Sequence, residues 1–115
     1  MDITFEGNKL TLPFNKISFK QNIDKILEAK GRIVVLLDIP NDDDTIDNIF
    51  ALDINGNKLW RVQSLKDYNS NITQFSPYVG INLLENGNIS ATNYFGMSYE
   101  ISVTDGKILN ATLTK

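Results

Sequence analysis

The chain has 115 residues, which is one domain by length, and its 42% hydrophobic and 22% charged content suits a globular protein that builds its own core. The formal net charge is −3 with no basic cluster, so nucleic acid and anionic membranes are not expected partners. Histidine and cysteine are absent, which removes Ser-His-Asp and Cys-His catalysis, His/Cys zinc sites and disulfides.

The first residues, Met1-Asp2-Ile3-Thr4-Phe5, lack the basic and apolar regions of a signal peptide. The longest apolar run, from Ile33 to Leu37, is strand-sized and far short of the roughly 20 residues of a membrane helix. The expectation is a cytoplasmic protein without membrane contact. Residues 2–6 and 9–13 read as a first hairpin turning at Glu6-Gly7-Asn8, with Pro13 ending the second strand or placing it at an edge. Residues 22–30 read as the helix of the fold. Ile23, Ile26 and Leu27 share one face at helical spacing, Asn22 stands as N-cap and Gly31 as the stop. The run from Arg32 to Asp38 predicts a central strand buried on both faces.

Asn41-Asp42-Asp43-Asp44 follows as an acidic loop. Residues 48–54 and 58–63 form a second hairpin across Asn55-Gly56, which predicts a type I′ turn. Residues 64–77 read as a long surface loop. Four strands follow at 78–84, 88–94, 97–103 and 107–113, separated by Gly-containing turns. Sequons at Asn71, Asn88 and Asn110 are expected by chance in so Asn-rich a chain.

Gly7-Asn8-Lys9-Leu10 recurs 49 positions later as Gly56-Asn57-Lys58-Leu59, and more loosely as Asp105-Gly106-Lys107-Ile108. Ile3, Leu52 and Ile101 align, as do Phe5, Ile54 and Val103. A hairpin is thus written three times at a period typical of repeated β-units. The core expected from this register is Ile3, Phe5, Leu10, Ile26, Val34, Leu36, Leu52, Ile54, Trp60, Leu83, Ile89, Ile101, Val103 and Ile108. The fold class is therefore mainly β, with antiparallel hairpins in incomplete propeller-blade-like units, one helix near residues 22–30 and a single domain over 1–115.

The stretch from Ile49 to Arg61, with Ala51-Leu52-Asp53 before the Gly turn and Lys58-Leu59-Trp60 after it, resembles the repeat of quinoprotein-type (PQQ-like) β-propellers. Gly96 to Leu109 looks like a degenerate copy without the Trp. The whole chain also resembles small bacterial proteins that carry one such motif after an N-terminal hairpin. The resemblance implies a fold neighbourhood and a packing role for Trp60 between units. A closed ring needs at least four blades, and the chain has material for two and a fraction, so no quinone cofactor or associated metal is expected.

Three features are weighed for chemistry. Asp42, Asp43 and Asp44 with Asp47 have oxygen ligands but lack the Gly and Glu of a calcium loop, and read as a solvated loop. Asp53-Ile54-Asn55-Gly56-Asn57 has its Gly too early for such a loop and reads as a hairpin turn. Trp60, Tyr94 and Phe95 are the candidate partner or ligand contacts, because aromatics on strand ends serve as platforms or interface anchors. The expected function is a non-catalytic protein-interaction module of the inhibitor or immunity kind. A small-molecule or glycan binder using strand aromatics and a carboxylate-based hydrolase are the alternatives. A protein partner or self-association is expected at the Tyr94-Phe95 turn or at open strand edges over 9–13 and 107–113.

Overall fold

A computed structural model describes residues 3–113. The first sheet joins β1 (Thr4–Glu6), β2 (Lys9–Thr11) and β3 (Lys16–Ser18). The second joins β4 (Ile23–Ala29), β5 (Arg32–Leu37), β6 (Ile49–Leu52) and β7 (Lys58–Arg61). A single-turn helix, α1 (Leu65–Tyr68), leads to the third, made of β8 (Tyr78–Leu83), β9 (Ile89–Asn93), β10 (Met97–Ile101) and β11 (Ile108–Leu113). Each sheet is an antiparallel meander in which sequence neighbours pair. Mainly antiparallel β structure is thus what the alternating hairpin pattern produces.

The three sheets stack with the second in the middle, and β5 shows why. Its continuous apolar run is buried on both faces. Ile33, Val35 and Leu37 pack with Leu10, Leu12 and Phe19 from the first sheet and its flank. Val34 and Leu36 point the other way, into a larger core with Ile81, Ile89, Tyr99 and Ile101 of the third sheet. Burying each such side chain contributes about 1.5–3 kcal/mol. Asn48, fully buried, ties the second and third sheets: its amide donates to the carbonyls of Leu37 (2.8 Å) and Tyr78 (2.9 Å) and accepts from the Tyr78 N–H (2.9 Å).

Several expectations are corrected. Residues 22–30 do not form a helix; they hold β4, which pairs with β5 from Ile23↔Leu37 to Ala29↔Arg32. The helical spacing of Ile23, Ile26 and Leu27 coexists with a β-bulge between Ile23 and Lys25, which resets the strand's alternation. Gly31 is not a helix stop. Lys30 (φ 49°) and Gly31 (φ 76°) are the two left-handed residues of a tight hairpin. The helix lies instead in the expected loop over 64–77, where the Ser64 hydroxyl caps it by accepting from the Asp67 N–H (3.1 Å).

The edge expected over 9–13 is absent: β2 is the middle strand of its sheet, covered by β3, which the hydrophobic pattern did not announce. Asn55-Gly56 is not a type I′ turn, since only Gly56 has positive φ. The Gly56 N–H returns to the Asp53 carbonyl (3.1 Å) and the Asp53 N–H reaches the Asn57 carbonyl (3.0 Å), a longer turn closed by a left-handed Gly. Of the expected core, Phe5 (39% exposed) and Leu83 (53%) lie at the surface, and Ile3, Ile26, Ile54 and Trp60 are half-buried. The remaining expected core residues are buried.

Candidate functional site

Trp60 sits on β7 opposite Ala51 and reaches across to the next hairpin. Its indole N–H donates to the Val103 carbonyl (2.9 Å), and its ring lies flat on Gly106. A Cβ at Gly106 would stand 2.6 Å from the ring, and Gly106 has φ +78°, so both space and backbone require Gly there. The adjoining chain strengthens the seam. Gln63 donates its N–H to the Gly106 carbonyl (3.0 Å) and accepts from the Ile108 N–H with its side chain (2.9 Å). A looser version joins the first two copies: Ile17 packs on Gly56, and the Asn15 amide donates to the Asn55 carbonyl (3.1 Å).

Tyr94 (66% exposed) and Phe95 (50%) occupy the β9–β10 turn. Buried Asn93 builds that turn by accepting from the N–H groups of Phe95 (3.0 Å) and Met97 (3.1 Å). The Ser76 hydroxyl accepts from the Tyr94 N–H (3.2 Å). Phe95 overhangs a hollow of about 290 Å³ with Ile72, Met97 and Tyr99. Tyr94 lines a smaller one of about 190 Å³ with Asp38, Tyr78 and Val79. Trp60 docks at the far end of β10, so the structure does not bring the three aromatics together.

Next to the turn runs the edge of the third sheet. β11 is an outer strand, exposed from Leu109 onward, with Leu113 paired to Met97 beside Phe95. Gln63 occupies its first N–H, leaving the edge beyond Ile108 open among the described residues. This agrees with the edge expected over 107–113. The opposite edge, β8, is covered in part by Lys25, whose ammonium donates to the Ile81 carbonyl (2.8 Å).

The outer face of the third sheet is polar and organised around Glu100. Its carboxylate accepts from the amides of Asn88 (3.0 Å), Asn86 (3.0 Å) and Asn110 (3.1 Å), which hold its pKa below the usual range, with Asn88 acting most strongly. Asn88 and Asn110 are therefore framework groups as well as sequon residues. No sequence pattern singled out Asn48, Asn93 or this cluster, because each draws its partners from distant strands.

The acidic loop spends its charge internally. Asp43 accepts from the Thr45 hydroxyl (2.6 Å) and N–H (2.9 Å) and from the Gln21 amide (3.0 Å), which lower its pKa to about 2. Asp47 is pushed up by burial, with nearby Arg61 opposing. Asp53 accepts from both N–H groups of Asn57 and from the Asn55 N–H, all within 3.0 Å, as its hairpin-turn reading requires. No metal-holding cluster of acidic side chains occurs among the described residues. No Asp or Glu is fully buried among them either.

The architecture defines a small, mainly β domain of three stacked antiparallel meanders whose turns interlock, with aromatic and edge-strand surfaces at one end. Among the described residues no helix is long and apolar enough to cross a membrane. The chain belongs to the family described as Domain of unknown function (DUF7957), which matches residues 1–113. A search of curated proteins finds no match.

Proposed function

We propose that this domain is a non-catalytic protein-interaction module of the inhibitor or immunity kind, acting in the cytoplasm. The observation that carries the reading is the open edge of β11 running beside exposed Phe95, Leu109 and Leu113. An edge strand offers unpaired backbone groups, and apolar side chains beside it supply the affinity that backbone pairing lacks. The occupant is an extended segment of a partner protein, added as a further strand. The composition supports a non-catalytic role, since His and Cys are absent and no buried carboxylate pair faces a cleft among the described residues. The seam of Trp60 on Gly106 supports the likeness of the repeat to propeller blades, as packing and not as a cofactor site.

The test is site-specific photo-cross-linking in the producing cell. A cross-linking residue at Leu109 or Leu113 is expected to capture one partner protein, and the same residue at Asn82 on the opposite edge strand is not. Capture of a second copy of the chain would reassign the occupant to self-association. Equal capture at both edges, or none at either, would overturn the reading.

A further inference from the structure

The cleft between the first and second sheets carries a concentration of positive charge that the acidic net charge conceals. Phe19 and Phe50 form its floor, with ring centroids 5.7 Å apart. The Lys58 ammonium stands 5.4 Å from the Phe19 centroid and 5.2 Å from that of Phe50. The Arg61 guanidinium carbon stands 5.1 Å from the same Phe50 ring. The strand register explains the pairing: a bulge in β7 puts Lys58 opposite Leu52 and Arg61 opposite Phe50, so both cations project from one face. Lys20, Gln21 and Thr45 complete a hollow of about 240 Å³.

These cations are positioned but not neutralised. Arg61 is anchored by its Nε, which donates to the Asp47 carbonyl (2.7 Å), and its outer guanidinium nitrogens have no hydrogen-bond partner among the described residues. Lys58 makes ring contacts and no hydrogen bond or ion pair among them. The nearby carboxylates are committed elsewhere or set back. Asp43 is held by Thr45 and Gln21, with Lys20 as its attracting charge, and Asp47 is half-buried beside Arg61. Two like charges held over one ring repel, and an anion between them would remove that repulsion. The aromatic floor fixes both head groups in advance, which lowers the ordering cost of binding.

We propose that this cleft is a binding site for the oxyanion of a small ligand, a carboxylate or a phosphate, held between Lys58 and the free nitrogens of Arg61. Arg presents a planar fork that matches either group, and Lys adds a mobile point charge. The volume limits the ligand to a small molecule. The site lies away from the β11 edge and stands independently of the interaction reading.

The test is an NMR titration of the intact chain with inorganic phosphate, acetate and benzoate, each at constant ionic strength against chloride. Saturable shifts at the backbone amides of Lys58, Arg61 and Gln21 are expected for at least one probe, and the better probe names the ligand class. Lys58→Met and Arg61→Gln are each expected to weaken binding at least tenfold. The Trp60 indole N–H resonance, on the opposite face of β7, should stay in place and report an intact fold. Shifts that match those of chloride, or binding that survives both substitutions, would overturn the proposal.

Discussion

The second and third sheets have the same strand plan, yet the corresponding faces differ at every paired position. Toward the third sheet, the second presents Val34 opposite Ala51, Leu36 opposite Ile49, and Trp60 opposite Ala51, with Val62 beside Ile49. The matching positions of the third sheet are Ser90 opposite Glu100, Thr92 opposite Ser98, Asn110 opposite Glu100 and Thr112 opposite Ser98. One face buries a core and docks a Trp on the next turn. The other carries hydroxyls, amides and a carboxylate, where the Thr92 and Ser98 hydroxyls bond each other (2.9 Å). The two sheets share strand order and the position of their last bulge, so side-chain polarity is what distinguishes the outer face from the stacked one. A polar outer face is how a stacked β-array caps itself. For the proposed interaction role, a polar face offers a partner no apolar hold, which leaves the β11 edge and the Tyr94-Phe95 turn as the surfaces to test.

The seam should be the weakest point to perturb. Gly106→Ala is expected to destabilise by about 4 kcal/mol, from left-handed strain plus a forced contact with the Trp60 ring. Trp60→Ala should cost about 3 kcal/mol, through lost packing and an unpaired Val103 carbonyl. With the ring gone, Gly106→Ala should fall to about 1–2 kcal/mol, the strain alone. Denaturant melts of the two single variants and the double variant measure this coupling. Additive losses would mean that the ring and the Gly do not meet in solution.

The comparison also shows what was legible in the sequence. The repeat disclosed all three hairpins, because Gly at a turn and apolar alternation on either side are local signals. The register put Trp60 in the core, where it is only half-buried; its packing between hairpins, against Val103 and Gly106, was implied by the resemblance instead. The register hid that the third turn carries one more residue, with Gly106 falling 50 positions after Gly56, so pairing matches Asn110 to Trp60. The helix expected at 22–30 failed because a bulge imitates helical spacing over so few residues, and pairing with β5 outweighs it. Tyr94 and Phe95 were found as exposed turn aromatics. The cationic cleft was not, since Phe19, Lys20, Lys58 and Arg61 meet only through tertiary stacking.

The looser seam should respond less. Gly56 also has positive φ, at +90°, but its close neighbour is the flexible end of Ile17. Gly56→Ala is therefore expected to cost about 2 kcal/mol, mostly backbone strain. A loss as large as that of Gly106→Ala would show that both seams are equally tight.

Acid should act on the turns that form the seams. Asp105 has a lowered pKa, chiefly because it accepts from the Lys107 N–H, and Asp53 is lowered chiefly by the Asn57 side chain. A depressed folded-state pKa means the unfolded chain binds more protons in that window. This contribution to stability is present above the ordinary Asp value of 3.8 and is lost as pH falls below it. Asp105→Asn should flatten the decline in melting temperature between about pH 5 and about pH 2. An unchanged slope would remove Asp105 from the account.

The smallest effect on stability, and the sharpest test of the cap, belongs to the outer face of the third sheet. Thr92→Ala and Ser90→Ala each remove a half-exposed hydroxyl from a solvated face, and each should change stability by less than about 0.5 kcal/mol. The informative variant combines Ser90→Val, Thr92→Leu and Ser98→Ile, which copies onto this face the residues at the paired positions of the second sheet. Strand pairing is untouched and these residues favour strands, so the monomer should still fold. It would now present three adjoining apolar side chains beside Glu100, where the native chain has hydroxyls, and such patches associate. Light scattering should then show a concentration-dependent dimer while the native chain does not pair through this surface. If the triple variant stays monomeric at high micromolar concentration, polarity is not what ends the stack. The explanation would then have to lie in the shape of the third sheet other than its last bulge, since the bulge between Glu100 and Ile101 has a counterpart between Ala51 and Leu52 in the sheet that does stack.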